Sequence, residues 1–349
     1  MRREVVSLHE AKTYSAEPDR LLHSASHQEV MSGLTSDIYF IRTQELLKHM
    51  GKLDTLTTAE VFASGAGIMG GIEEAVNFLK KIDEERKLQV WSLPEGAPME
   101  EKEVVMRISG PYGVFGVYET AVLGMLASSS GWATAARECK EAAGDKKVFC
   151  FGARHVHPSV APVMERAALI GGADGCSCVL GAKLMNKQPA GTVPHAVFLV
   201  VGDTVEVAYQ YDQVMAEEDL RIILVDTFKD EAEESLRVAE ALKENLQGVR
   251  LDTPSERGGV TPGLVKEVKA RLKQAGYPHV QVLASGGITA SRIPPLVEAG
   301  ADAFGVGSYI SRAPAIDMTM DIKEVEGKAM AKRGRIPGIK VNPRLERQF

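Results

Sequence analysis

From Phe149 to about Ile310 the chain repeats one unit: a short apolar run, a tip of small or ionisable residues, then a helix. The apolar runs are VFCFG, GCSCVLG, a segment near GTVPHAV, IILVDT, GVRLDT, VQVLASGG and AFGVGS. Between several of them lie the helical patterns SVAPVMERAALIGG, DEAEESLRVAEALKENL and TPGLVKEVKARLKQAG. Parallel strands need long crossovers, and units of roughly 20–30 residues supply them. Each well-defined strand ends in Gly, Asp, Thr, Ser or Arg, so reactive residues gather at the carboxyl ends. A β/α barrel carries its chemistry there. A doubly wound open sheet loads its strand ends in the same way and stands as the alternative.

The first region has a different rhythm. TSDIYFIRTQELLKHMG reads as an amphipathic helix with Ser36 as N-cap and Gly51 as its stop. TAEVFA, LQVWSLP and KEVVMRISG alternate as strands do, with the helix GGIEEAVNFLKKIDEERK between the first two. Residues 1 to about 115 therefore read as an α/β layer, an antiparallel sheet covered by helices.

Composition removes several classes of function. The chain has 349 residues, 44% hydrophobic and 25% charged, which fits a soluble globular protein with a large core. A net charge of −6 carries no nucleic-acid footprint. MRREVVSLHEAKTYSAEPDR lacks the apolar centre of a secretory signal, and no apolar run is long enough for a membrane helix. Cys139, Cys150, Cys176 and Cys178 lack zinc-site spacing. A cytoplasmic protein with reduced thiols and no direct metal ligands is the expectation.

Two stretches point to chemistry. VFCFGARHVHPS ends a strand at Gly152 and then presents Arg154, His155 and His157 together, as a site for an anion does. ASGGIT and FGVGSYIS end the last two strands. Gly286, Gly287, Gly305 and Gly307 let backbone N–H groups approach an anion, and Ser285 and Ser308 add hydroxyl donors. Phosphate often sits between the corresponding loops of β/α barrels.

These residues, with ERAALIGGADGCSCVLGAKLMNKQPAGTVPHAV, VDTF and RLDT, and with TSDIYFIRT and ISGPYGVFGVYETAVLGMLASSS upstream, resemble the nicotinate phosphoribosyltransferases. The resemblance implies an α/β fold: an irregular β/α barrel (about 116–313) and an N-terminal open-faced α/β sandwich (about 1–115) completed by the C-terminal tail (about 314–349). It implies transfer of 5-phosphoribosyl from its pyrophosphate to nicotinate, giving nicotinate mononucleotide and pyrophosphate. It also implies Mg²⁺, coupling to ATP, and a homodimer with sites shared between subunits.

Residue roles follow from the same resemblance. Phe151 forms one face of the pyridine slot and Tyr39 of a partner subunit the other. Arg154 meets the ring carboxylate in fork geometry, Ser177 donates to it, and Arg250 lies near the carboxyl group and phosphates. Asp226 and Asp252 balance charge on the sugar, bind its hydroxyls and position Mg²⁺ through water. His195 matches a histidine phosphorylated by ATP. The plainer reading of the two aspartates is helix capping, and of His195 a satisfied structural side chain. His155 stands where many relatives carry a second arginine, so a permanent charge becomes titratable. The basic tail KRGRIPGIKVNPRLERQF reads as a solvated end packed on the first domain. The nearest alternative is a quinolinate phosphoribosyltransferase, which shares the fold and decarboxylates a dicarboxylate. A phosphate-binding aldolase or isomerase and a non-catalytic nicotinate- or nucleotide-binding homologue complete the alternatives.

Overall fold

The computed structural model describes residues 5–349. Its strands, in chain order, are β1 (Leu56–Ala63), β2 (Gly67–Ile68), β3 (Gln89–Ser92), β4 (Pro98–Met99), β5 (Val104–Pro111), β6 (Lys147–Cys150), β7 (Gly175–Cys176), β8 (Ile222–Leu224), β9 (Gly248–Leu251), β10 (Gln281–Ala284), β11 (Ala303–Val306), β12 (Met318–Val325), β13 (Lys328–Ala329) and β14 (Glu346–Arg347). The chain divides into two compact units. One runs through Gly131 and takes in Pro314–Phe349; the other is Trp132–Ala313. The boundary lies beyond residue 115 because the start of the Glu119–Ala143 helix places Val122 and Leu126 in the first unit's core.

The first unit is built on an antiparallel sheet of order β13-β12-β1-β5-β3-β14. The Ile72–Ile82 helix turns Ile72, Ala75, Val76 and Leu79 into the same apolar cluster as Ala59, Val61, Val90 and Ile108 of the sheet. The tail is part of this sheet: β12 runs beside β1 from Thr57↔Val325 to Ala63↔Met318, and β14 pairs Arg347 with Trp91. Glu60, buried on β1, accepts from Arg107 at 2.8 Å and from the Lys340 amide at 3.1 Å, so a buried carboxylate ties the tail down. The helix expected after Ser36 begins at Ile38, with Asp37 as its N-cap, because the Ser36 hydroxyl donates instead to the Val117 carbonyl.

The second unit holds six parallel strands in the order β7-β6-β11-β10-β9-β8. Among the described residues β7 and β8 are not paired with each other, so the sheet is a half-barrel. The segment near GTVPHAV is not a strand. Pro194, which has no N–H to give a ladder, is the N-cap of a helix over His195–Val201. The crossover helices form where their caps predict. The Asp230 side chain accepts from the amides of Ala232 and Glu233, and Thr261 accepts from Leu264 at 3.2 Å. Capping is thus supplied by Asp230 and Thr261, and Asp226 and Asp252 are left for other partners.

Candidate functional site

Strand β6 pairs with β11, and the pairing sets the first wall of the site. The Phe151 amide donates to the Val306 carbonyl at 2.8 Å, which lays the Phe151 ring against Gly305. A Cβ on Gly305 would stand 2.6 Å from a ring carbon, so only glycine fits there. Phe149 stacks at 6.3 Å from the Phe151 ring, and the Arg250 guanidinium carbon lies 5.3 Å from its centre. Past Gly152 the chain makes a 3-10 turn, Ala153–His155. Arg154 is exposed there and, among the described residues, has no side-chain partner. His155 packs against Gly307, with Nδ1 3.3 Å from the Ser311 hydroxyl. Burial pushes the His155 pKa down, and the neighbouring charges of Arg154 and Arg312 push the same way.

The ends of β9 and β10 form a second, fully connected patch. Arg250 donates to the hydroxyls of Ser285 and Thr192, each at 2.9 Å, and to Asp252 at 3.1 Å. Ser285, almost wholly buried, lies within hydrogen-bond distance of both the Leu251 carbonyl and the other Asp252 oxygen. Gly286 follows with φ +80°, and a Cβ there would meet Asp252 at 2.9 Å. Arg292 reaches back to the Gly287 carbonyl at 2.7 Å and to Val260 at 2.8 Å. With that carbonyl held, the amides of Gly286 and Gly287 have no hydrogen-bond partner among the described residues. Those of Gly307 and Ser308, at the end of β11, have none either. Two strand tips therefore present four unsatisfied N–H groups, the requirement of a phosphate cradle.

At the end of β8, His195 Nε2 lies 3.0 Å from Asp226 Oδ2. The Asp226 side chain is 1% exposed against 38% for His195. Burial raises the Asp226 pKa, the His195 contact lowers it in part, and Asp252 adds a further upward push. Asp226 Oδ1 and the Thr227 hydroxyl are buried without a partner among the described residues. A bound cation's water shell or a sugar hydroxyl would satisfy both atoms.

Sequence reasoning missed the group that joins the tips of β6 and β7. Glu165, fully buried on the Ala161–Gly171 helix, accepts at 2.9 Å from each of the Gly152 amide, the Ala153 amide and the Ser177 hydroxyl. Its second oxygen accepts from the Cys178 amide at 2.5 Å. The one O–H of Ser177 is therefore directed at Glu165 and not into open space. The signal was present: with Ala161, Met164 and Ala168 also buried, Glu165 is a charge inside an apolar helical stripe. Thr192 and Arg292 carried no comparable mark. His157 accepts from the Ser159 amide at 3.2 Å and so shapes the turn. Tyr39 belongs to the first unit, on the Ile38–His49 helix, where it is 54% exposed and its ring meets Phe40 at 4.2 Å.

Two sequence-family models match this chain end to end of its main body. The quinolinate phosphoribosyl transferase N-terminal domain matches residues 37–130, and the C-terminal domain matches 132–321. The chain belongs to the quinolinate phosphoribosyl transferase family. A solved nicotinate-nucleotide pyrophosphorylase from Pyrococcus furiosus is 43% identical with a TM-score of 0.86, covering 92% of this chain and 82% of that one. The human carboxylating nicotinate-nucleotide pyrophosphorylase is 28% identical over 76% of this chain and 83% of its own length. A nicotinate phosphoribosyltransferase of Mycobacterium tuberculosis is also 28% identical, over 70% of this chain. The match spans only 53% of that relative's length.

These matches correct the resemblance drawn from the motifs. ASGGIT, FGVGS and the strand-end aspartates belong to a fold that both families share, so they could not separate them. Membership in the quinolinate phosphoribosyl transferase family overturns the ATP-coupled nicotinate enzyme. The phosphohistidine role of His195 goes with it. Among the described residues of this family member, no helix is long and apolar enough to cross a membrane.

Proposed function

We propose that the protein transfers 5-phosphoribosyl from phosphoribosyl pyrophosphate to quinolinate, giving nicotinate mononucleotide, pyrophosphate and CO₂. The observation that carries this reading is the Arg250 guanidinium over the Phe151 ring, with a second arginine, Arg154, exposed on the strand tip that follows Phe151. Arg250 lies 5.3 Å from the centre of the Phe151 ring, and Arg154, on the same strand tip as Phe151, has no protein partner among the described residues. A planar ring bearing two carboxylates needs two forked cations; one carboxylate needs one.

In this reading the 5-phosphate lies on the amides of Gly286, Gly287, Gly307 and Ser308. The ring nitrogen bonds to the ribosyl C1 as the pyrophosphate oxygen leaves with its electron pair. Positive charge that builds on the sugar is balanced by Asp226 and Asp252. The carboxylate next to the ring nitrogen then departs as CO₂, its bonding electrons remain on the ring carbon, and a proton takes its place. Asp226 Oδ1 and Thr227 Oγ1, both buried without partners, fit a hydrated Mg²⁺ held through water. That ion would neutralise the leaving pyrophosphate. A homodimer in which Tyr39 of one copy covers the ring bound to another is part of the proposal.

The test supplies carboxyl-labelled quinolinate, phosphoribosyl pyrophosphate and Mg²⁺ to the pure protein, with nicotinate in a parallel reaction. The expected result is mononucleotide, pyrophosphate and labelled CO₂ in equal amounts from quinolinate. Mononucleotide from nicotinate alone, with no CO₂ from quinolinate, overturns the proposal.

A further inference from the structure

We propose that Glu165 is a positioning residue that sets the width of the acceptor slot; the inference rests on the reading of that slot given above. Among the described residues Glu165 makes no hydrogen bond or ion pair with Arg154. It holds the two chain segments that bear the slot's walls. Its Oε1 accepts from Gly152, Ala153 and Ser177, and its Oε2 from Cys178. Gly152 and Ala153 stand between Phe151 and Arg154 in the chain, while Ser177 and Cys178 end β7. One carboxylate therefore couples the aromatic floor and the free guanidinium to the neighbouring strand tip.

The surroundings leave the carboxylate one place to stand. A Cβ on Gly152 would lie 2.7 Å from Met164, and one on Gly181 would lie 3.3 Å from Glu165 itself. Cys150 and Cys176 flank it; burial raises both thiols, and the Glu165 charge raises them further. These four hydrogen bonds come from neutral donors, so the carboxylate is held by oriented amides and a hydroxyl. A buried acceptor with four donors cannot shift without leaving several unsatisfied.

Glu165→Gln is nearly the same size but carries a donor on one side. Whichever way the amide turns, its NH₂ faces at least one N–H or O–H that needs an acceptor. One strand tip is pushed away, and the slot loses its spacing. Small displacements of binding groups weaken substrate capture steeply. We expect the KM for quinolinate to rise about tenfold or more, with the KM for phosphoribosyl pyrophosphate changed by less than about threefold. Glu165→Asp retains the carboxylate and should recover part of the loss. In substrate-free protein, amide hydrogen exchange at Gly152, Ala153 and Cys178 should quicken in Glu165→Gln.

A purely structural role would lower the melting temperature and leave the ratio of the two KM values where it was. An unchanged ratio in Glu165→Gln overturns the proposal. If that variant does not fold, the same ratio in Glu165→Asp decides: a selective rise for the acceptor supports it, no change overturns it. The exchange measurement needs no substrate. A wild-type protein inert toward quinolinate would therefore defeat the functional reading while the hold of Glu165 on the two tips is still measured.

Discussion

Arg250 and Asp252 stand two residues apart at the end of β9, joined by a 3.1 Å hydrogen bond. Strand alternation puts both side chains on one side. The same guanidinium reaches Thr192 and Ser285, so three chain segments converge on one cation. Each contact removes a freedom of the guanidinium.

Arg250→Lys tests that convergence. Lysine keeps the charge but not the planar fork, and it cannot reach three partners from one position. Loss of charge-assisted contacts of about 1.5–3 kcal/mol corresponds to a fall of roughly tenfold to over a hundredfold in kcat/KM for quinolinate. Steady-state kinetics would show it. A kcat/KM within twofold of wild type would reduce Arg250 to a packing group.

Arg292→Ala acts on the other substrate. Without its guanidinium the Gly287 carbonyl loses a 2.7 Å partner, and the loop that aims the Gly286 and Gly287 amides gains freedom. The expected outcome is a KM for phosphoribosyl pyrophosphate raised about tenfold or more, near the lower end of the roughly 1.5–3 kcal/mol of a charge-assisted contact, with the quinolinate KM little changed. An equal effect on both substrates would remove the phosphate role of this loop.

Tyr39 supplies the test of a shared site. Tyr39→Ala and Arg154→Ala chains, each weakly active alone, should regain activity on mixing, because one of the two sites in each mixed dimer contains both side chains. No recovery, with dimers present by light scattering, would return Tyr39 to its own unit's surface.

How much of this was legible is uneven, and the reasons are physical. The strand tips were legible because Gly152 with Arg154, Asp226, Asp252 and the two glycine pairs interrupt apolar runs, and small or charged residues there have no packing value. The tail's place in the first sheet came from the resemblance; MTMDIKEV alone, with its uneven burial, reads weakly as a strand. GTVPHAV misled because valines at a spacing of four suit either a strand or a helix, and Pro194 decided for the helix. The substrate family was hidden because solved structures named for both activities share this fold, so the motifs at its strand ends did not separate them. Arg250, 99 residues after Phe151 in the chain, comes over the Phe151 ring only in three dimensions.

Glu119 makes stability depend on pH in the first unit. Burial, then the charges of Asp321 and Asp37, raise its pKa to about 7 from an ordinary 4.5. Folding therefore takes up a proton between those values. The stability it contributes is full below about 4.5 and is lost as pH rises through about 7. With solvent screening allowed for, the change is about 1–2 kcal/mol. Urea unfolding at several pH values should show this decline in wild type and a flatter profile in Glu119→Gln. Parallel profiles would place the proton elsewhere.

His155 gives the sharpest pH prediction for binding. Its pKa is lowered first by burial and then by Arg154 and Arg312, while Ser311 offers only a neutral hydroxyl. Near neutral pH the ligand-free imidazole is therefore mainly uncharged, although it packs on Gly307, one of the residues proposed above to hold phosphate. A bound phosphate dianion favours the protonated ring, so binding takes up a proton at this site. Affinity for phosphoribosyl pyrophosphate should rise as pH falls below the ordinary histidine range of about 6.5, until the phosphate itself gains a proton near about 6. His155→Arg replaces the titrating charge with a permanent one. Its KM for the donor should be several-fold lower at neutral pH and should vary less with pH. Measuring the donor KM of both proteins across the neutral and mildly acidic range separates the ring's titration from the phosphate's, since only the latter remains in the arginine variant. Superimposable profiles would show that His155 does not face the phosphate.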